Sequence, residues 1–220
     1  MATDVLGRVV EVVSGQSLDT FFAENVFGPL GMDDTGFFVP EADQDRMATL
    51  YVPAPGTRAA IPPGASLGDL SDRLNRPPSL LSGGGGLIGS AGDYHRFTQM
   101  LLGGGELDGV RLLSNRTVAY MTRNHLPGGL DLETVGRPLF AETTFDGVGF
   151  GLGFSVALDP VKNKVLSQAG EFAWGGAAST AFFVDPTERL TALFMTQLLP
   201  SSTHPIRPQL RQLVYQALVD

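Results

Sequence analysis

The chain has 220 residues, 43% of them hydrophobic and 17% charged, with a formal net charge of -8 and no cysteine. Length and apolar content suit one globular domain, or two small ones, with a sizeable core. The negative balance argues against the basic stripe of a nucleic-acid surface and against docking on anionic lipid; the missing thiols exclude disulfides, cysteine nucleophiles and thiolate metal sites.

No apolar run approaches the roughly 18 residues of a membrane span. The opening stretch, MATDVLGRVVEVVSG, carries Asp4 and Glu11 and lacks the apolar block of a secretion signal. It reads as a helix that begins at once, which implies a missing upstream part. The absent signal gives a cytoplasmic expectation. Glycine is enriched, 28 of 220 residues against a usual 7% or so. The excess clusters at 83–86, 103–105 and 149–154, where it punctuates elements rather than forming a linker.

In chain order, Val5, Leu6, Val9, Val10 and Val13 recur at helical spacing, and Gly15 ends the run. Ser17 is placed to cap a second helix, LDTFFAENVF, closed by GPLGM. Residues 36–39 are extended. Residues 40–82 are the least regular part, because seven prolines forbid long helices there. Ser90 and Asp93 form a capping box before a helix whose apolar face is Tyr94, Phe97, Met100 and Leu101. ELDGVRLL carries a DG turn between short strands, and Ser114 caps the next helix. From 149 the period changes. GFGLGFSVALD alternates as a strand, and AFFVDPTERLTALFMTQ reads as a hairpin turning at Asp185–Glu188. A last helix, about 205–219, places Ile206, Leu210, Leu213, Val214 and Ala217 on one side. Helices, then strands, then a closing helix predict an α+β class with an antiparallel sheet flanked by helices. The domain division follows the same change of pattern: 1–148 mainly helical and loop, 149–220 strands plus the C-terminal helix.

Chemical motifs are sparse. GASLG at 64–68 matches the G-x-S-x-G nucleophile elbow around Ser66, but IPP before it and GDLSDR after it do not make a strand-to-helix turn. His95, His125 and His204 show no metal-helix spacing, and structural roles account for each. A hydrolase using Ser66 with one of them would need residues brought together from afar. GFGLGF is followed by strand residues, not by the helix a phosphate loop needs. An S-x-x-K pair would set an amine one helical turn from a hydroxyl. The only lysines are Lys162 and Lys164, with Asp159 and Val161 three residues before them, so the pair is absent.

GEFAWGGAAST at 170–180 holds the single tryptophan beside two glycines at the mouth of a strand. With LDTFFAENVFGPLGMDDTGF, GGGGLIGSAGDYHRFTQMLLGGG and GFGLGF, it resembles the serine β-lactamase and penicillin-binding-protein superfamily. The WGG resembles most the family VIII carboxylesterases, which share the class C β-lactamase fold. The resemblance covers nearly the whole chain, with 40–80 its weakest part.

It implies a partial β-lactamase/transpeptidase-like fold with the N-terminal strands and the nucleophile helix missing. It also implies that the strands near 171–178, 179–185 and 189–197 are three of five. The catalytic scheme uses a Ser and Lys of S-x-x-K, a Tyr of Y-x-N, and a third motif, K-T-G or W-G-G. Only the third is present: none of Tyr51, Tyr94, Tyr120 or Tyr215 has an Asn two residues later. By resemblance, Trp174 packs on substrate, Gly175 and Gly176 keep side chains clear of the acyl group, and the Ala177 N–H faces the oxyanion. The ligand class is a small-molecule ester, with no metal or organic cofactor. The last strand, Leu190 to Gln197, would expose an edge and self-associate. The alternative is a truncated, non-catalytic domain that folds and self-associates.

Overall fold

The computed structural model describes residues 2–60, 77–136 and 144–219. They divide into two units, Met1–Phe97 with Leu107–Leu112, and Thr98–Glu106 with Leu113–Asp220. The GASLG stretch and Ser66 lie outside the described residues. No helix among the described residues is long and apolar enough to cross a membrane.

In the first unit, α1 (Ala2–Ser14) ends at Gly15, whose φ of 72° is a left-handed stop. Its buried residue is Gly7, where a Cβ would come 2.9 Å from Leu18 Cδ2, so glycine admits close helix packing. Val5, Leu6, Val9, Val12 and Val13 face outward. α2 (Leu18–Phe22) runs on through a π-turn (Ala23–Phe27) and a last helical turn (Gly28–Leu30) to Gly31 in the left-handed region. Ser17 does not cap α2 with its side chain; its hydroxyl is drawn to Asp19 Oδ1 (2.5 Å) and Thr20 Oγ1 (2.9 Å) instead. Leu18, Leu30, Met32 and Phe37 make the core, with Phe22 stacked on Phe37.

Residues 51–60, expected to be irregular, form a hairpin of β1 (Tyr51–Ala54) and β2 (Thr57–Ala60). Pro53 is tolerated because a two-stranded ribbon is all edge. In α3 (Ala91–Leu102) the capping box holds in one direction: Asp93 N donates to Ser90 Oγ (3.2 Å). The Asp93 carboxylate accepts from Asp34 N (2.8 Å) and Thr35 Oγ1 (2.7 Å) instead of reaching back. Burial pushes the Tyr94 phenol up to about 12. The DG turn has positive φ at Asp108 (50°) and Gly109 (81°) and joins β3 (Glu106–Leu107) to β4 (Val110–Arg111).

In the second unit, Ser114 Oγ accepts from Thr117 N (3.0 Å) and caps α4 (Asn115–Met121). Asp131 caps α5 (Leu132–Val135) in the same way. A five-stranded antiparallel meander follows: β5 (Val148–Phe150), β6 (Ser155–Ala157), β7 (Phe172–Gly175), β8 (Ala181–Asp185) and β9 (Leu190–Phe194). The chain thus contributes five strands to this sheet, where three were expected. Two of the five come from 148–157, where GFGLGFSVALD, read as one alternating strand, is a hairpin of two short strands that turns within GFGLGF. Its glycines admit backbone closely: a Cβ at Gly151 would lie 2.1 Å from Met121 O. The β8–β9 turn is held by Asp185 Oδ1, which accepts from Thr187 N (2.8 Å) and Glu188 N (3.1 Å). Between β6 and β7 comes α6 (Pro160–Asn163), and α7 (Ile206–Gln216) closes the chain.

Candidate active site at the end of the third-motif strand

Strand alternation gives the β7–β8 pair two chemically distinct faces. Trp174 opposes Phe182, and Phe172 opposes Val184, on one face. Phe154 packs there against both Phe172 (5.2 Å) and Phe182 (6.2 Å). Trp174 lies at the rim, 45% exposed, with its ring edge-on to Phe150 at 5.2 Å. It is neither a buried anchor nor a free side chain: one edge is packed and the rest is open.

The other face presents Ala173, Gly175, Ala181, Phe183 and Asp185 to α7. Three residues of that helix at i, i+4 and i+8 meet it: Arg207, Arg211 and Tyr215. The Arg211 guanidinium lies 5.3 Å over the Phe183 ring, and Tyr215 stacks on the same ring at 5.9 Å. Glu171, 3% exposed, accepts from Arg211 Nε (2.7 Å) and Tyr215 OH (3.0 Å). Tyr215 OH also reaches Asp185 Oδ2 at 2.5 Å. Burial raises the Glu171 carboxyl above its ordinary value, against the pull of Arg211. Burial, with Asp185 and Glu171 as acceptors, raises Tyr215. The inward side of α7 is therefore this polar stripe, and Leu213, expected to face inward, is exposed. Two buried carboxylates explain the inversion, since they require partners.

Past Gly175 the chain turns sharply. Gly176 N donates to Thr180 O (3.0 Å), and Ser179 N donates to Gly176 O (3.2 Å). Ser179 has φ 67°, a left-handed conformation costly for a residue with a Cβ. It is held by its own buried hydroxyl, which donates to Leu198 O (2.7 Å), while Leu198 N donates to Ala178 O (3.1 Å). Ala177 is exposed at the head of this turn. A Cβ at Gly175 would fall 2.2 Å from Arg207 Nε, and one at Gly176 would fall 2.3 Å from Thr180 Oγ1. A side chain at either position would therefore have to displace this chain's own Arg207 or Thr180.

The remaining polar residues have structural work. Lys162 pairs with Asp131, which also accepts from Thr134 N, Thr134 Oγ1 and Gly147 N, all within 3.0 Å. These partners, Lys162 first, hold Asp131 well below the usual carboxylate range. The pair borders a hollow of about 270 Å³ lined also by Gly129, Leu130, Leu158 and Asp159. His125 Nε2 contacts Tyr120 O (2.8 Å), and the two rings meet edge to face. His95 and His204 are exposed. The structure thus places Trp174, Gly175, Gly176 and Ala177 at one strand end. Sequence reasoning missed Arg207 there; the signal was an Arg–Arg–Tyr stripe at helical spacing.

Comparison with known proteins bears on the same features. A family model described as Beta-lactamase matches residues 1–216. An uncharacterized protein of Mycobacterium tuberculosis is 37% identical over 212 residues, covering 90% of this chain and 48% of that protein. Esterase EstB of Burkholderia gladioli is 33% identical over 229 residues, covering 98% and 53%. The solved structure of EstCE1, a hydrolase with promiscuous acyltransferase activity, superposes with a TM-score of 0.78 at 28% identity, covering 97% of this chain and 55% of that one. The chain spans about half the length of the relatives it matches. With a five-stranded antiparallel sheet, a flanking C-terminal helix and a family match over nearly every residue, the chain belongs to the beta-lactamase family.

Proposed function

We propose that this chain supplies the third-motif strand and the oxyanion side of an ester-hydrolysing serine-hydrolase site. The observation that carries the reading is the pinned turn at the end of β7. Ala177 is exposed at its head, three residues past the half-open Trp174, and its N–H donates to no described residue.

When a serine hydroxyl adds to an ester carbonyl, its proton passes to a base and negative charge moves onto the carbonyl oxygen. A fixed backbone N–H aimed at that oxygen stabilises the transition state by about 3 kcal/mol. Trp174 offers an apolar wall for the acyl or alcohol group. The third motif carries no cation, which favours short-chain or aryl esters over anionic lactams. The nucleophile and its base, the Ser and Lys of S-x-x-K and the second-motif Tyr, are absent from these 220 residues, so the chain is inactive by itself. The esterase relative EstB supports the reaction class.

The test is hydrolysis of p-nitrophenyl acetate and butyrate, with fluorophosphonate labelling read by intact mass. Neither turnover nor an adduct is expected. A single adduct with turnover would place the nucleophile inside this chain, with Ser66 among the serines to map, and would overturn the incomplete-site reading.

A second reading, a non-catalytic domain that self-associates, is favoured by β9. Among the described residues that strand pairs with β8 on one side and with no strand on the other. Its backbone edge can pair with a second copy. Sedimentation should then show a mass that grows with concentration and returns to monomer in Leu193→Lys. A sharp monomer at high concentration, with 190–197 protected from amide exchange, would count against it.

A further inference from the structure

Three contacts converge on the turn at 176–180 from the α7 side, and all involve Arg207. The guanidinium lies against Gly175, where a Cβ would fall 2.2 Å from Nε, 2.4 Å from Cζ and 2.5 Å from Nη2. Nη2 donates to Gly176 O (2.8 Å) and to Thr180 O (3.3 Å). Those two carbonyls already accept the hydrogen bonds that define the turn, from Ser179 N and Gly176 N. One cation therefore closes both ends of a five-residue loop whose third anchor is the Ser179 hydroxyl on Leu198 O.

We propose that Arg207 is a positioning residue of the ester-hydrolysing site: seated on Gly175 and bonded to both turn carbonyls, it fixes the direction of the Ala177 N–H. The assignment rests on the reading of Ala177 as the oxyanion donor. The physical need is specific. A single backbone donor stabilises charge only if it does not reorient during the reaction, and a turn with a left-handed serine relaxes unless its surroundings over-determine it. Arginine suits the task better than lysine. Its planar fork can stack on a bare glycine and still donate in-plane to two acceptors, whereas an ammonium is a compact, strongly hydrated point charge. The glycine of the motif and the arginine of the helix are thus one device: Gly175 exists to seat the guanidinium.

The experiment compares Arg207→Met, Arg207→Lys and Gly175→Ala by amide hydrogen exchange, with kcat and KM for p-nitrophenyl butyrate measured separately. Arg207→Met should speed exchange about tenfold at the hydrogen-bonded turn amides of Gly176 and Ser179 while leaving β8 protected, as a local rather than global opening does. Gly175→Ala keeps the charge but evicts the guanidinium, and should give the same local pattern; it also serves if Arg207→Met does not fold. Arg207→Lys should recover part of the protection. Where turnover is measurable, kcat should drop about 100-fold in Arg207→Met with KM nearly unchanged, the signature of a misaimed donor. Exchange at Gly176 and Ser179 unchanged in both Arg207→Met and Gly175→Ala overturns the proposal. So does faster exchange spread equally over β7 and β8, which marks a merely structural arginine. If the parent chain shows no turnover, exchange alone decides on Arg207. If the parent chain turns over by its own serine, the incomplete-site reading fails while the Arg207 comparison stands.

Discussion

The two faces of the β7–β8 pair rest on different physics. One is aromatic: Phe154, Phe172 and Phe182 close on each other with no polar atom to satisfy. The other is ionic: Glu171, Asp185, Arg211 and Tyr215 are stitched under α7 by hydrogen bonds. Burial of apolar area is non-directional and indifferent to pH. A buried charge cluster is directional, and it depends on every partner staying in its protonation state. The difference teaches how the WGG turn is framed: one face of its strand is closed by aromatic packing, and the other is tied by directional hydrogen bonds to the helix that carries Arg207.

The largest break should come on the aromatic side. Phe172→Ala removes a ring that is 1% exposed, and should lower unfolding stability by about 4 kcal/mol, in the range of large-to-small core changes. Urea denaturation measures it; a loss below about 1 kcal/mol would mean that the face collapses onto the cavity.

On the ionic side, Arg211→Met strands Glu171 without its cation and should cost about 3 kcal/mol near neutral pH. Its pH dependence sharpens the contrast. Burial raises the folded Glu171 carboxyl above its ordinary 4.5, so between those values the native state binds more protons than the unfolded one. Stability therefore falls as pH rises through that window. Without Arg211 the folded value climbs further, so the cost of the substitution should shrink towards pH 4.5 and be largest at pH 8. Equal losses at both pH values would show that Glu171 is not the group left unpaired. Tyr215→Phe deletes the one hydroxyl that reaches both carboxylates and should cost about 2 kcal/mol, a loss that a differential scan would register.

Much of this was legible because local rules decide it. Asp108–Gly109 is a turn wherever it stands between short strands, Ser114 caps because an amide three residues on needs an acceptor, and Asp185–Glu188 folds on its own carboxylate. What was not legible depends on partners distant in sequence. Pro53 disguised a strand because its exclusion applies to central strands only. GFGLGF read as one strand because the reversal at 151–154 is set by close backbone approach from Met121. Arg207, Arg211 and Tyr215 escape notice because the apolar residues of the last helix mark its expected inward side; the buried Glu171, just before β7, and Asp185, at the end of β8, turn the polar stripe inward instead. Trp174 was singled out by being alone, and its packing on Phe150 could not be seen without the β5–β6 reversal.

Trp174 gives the finest test of the comparison, because it stands on the aromatic face two residues from Phe172 and yet does a different job. Both rings pack edge-on or tilted against a phenylalanine at 5.2 Å. Phe172 is closed in, however, while Trp174 keeps 45% of its surface open. An aromatic pair contributes about 1 kcal/mol beyond area burial, and a half-open ring has little cavity to leave behind. Trp174→Ala should therefore cost about 1 kcal/mol, roughly a quarter of the Phe172→Ala loss. Since Trp174 is the single tryptophan, its emission in the parent chain reports directly on whatever covers that open surface. Phenyl acetate or phenyl butyrate should shift or quench it if the ring is a substrate wall. A Trp174→Ala loss as large as that of Phe172→Ala, with emission indifferent to aryl esters, would make the ring a core anchor and remove it from the site.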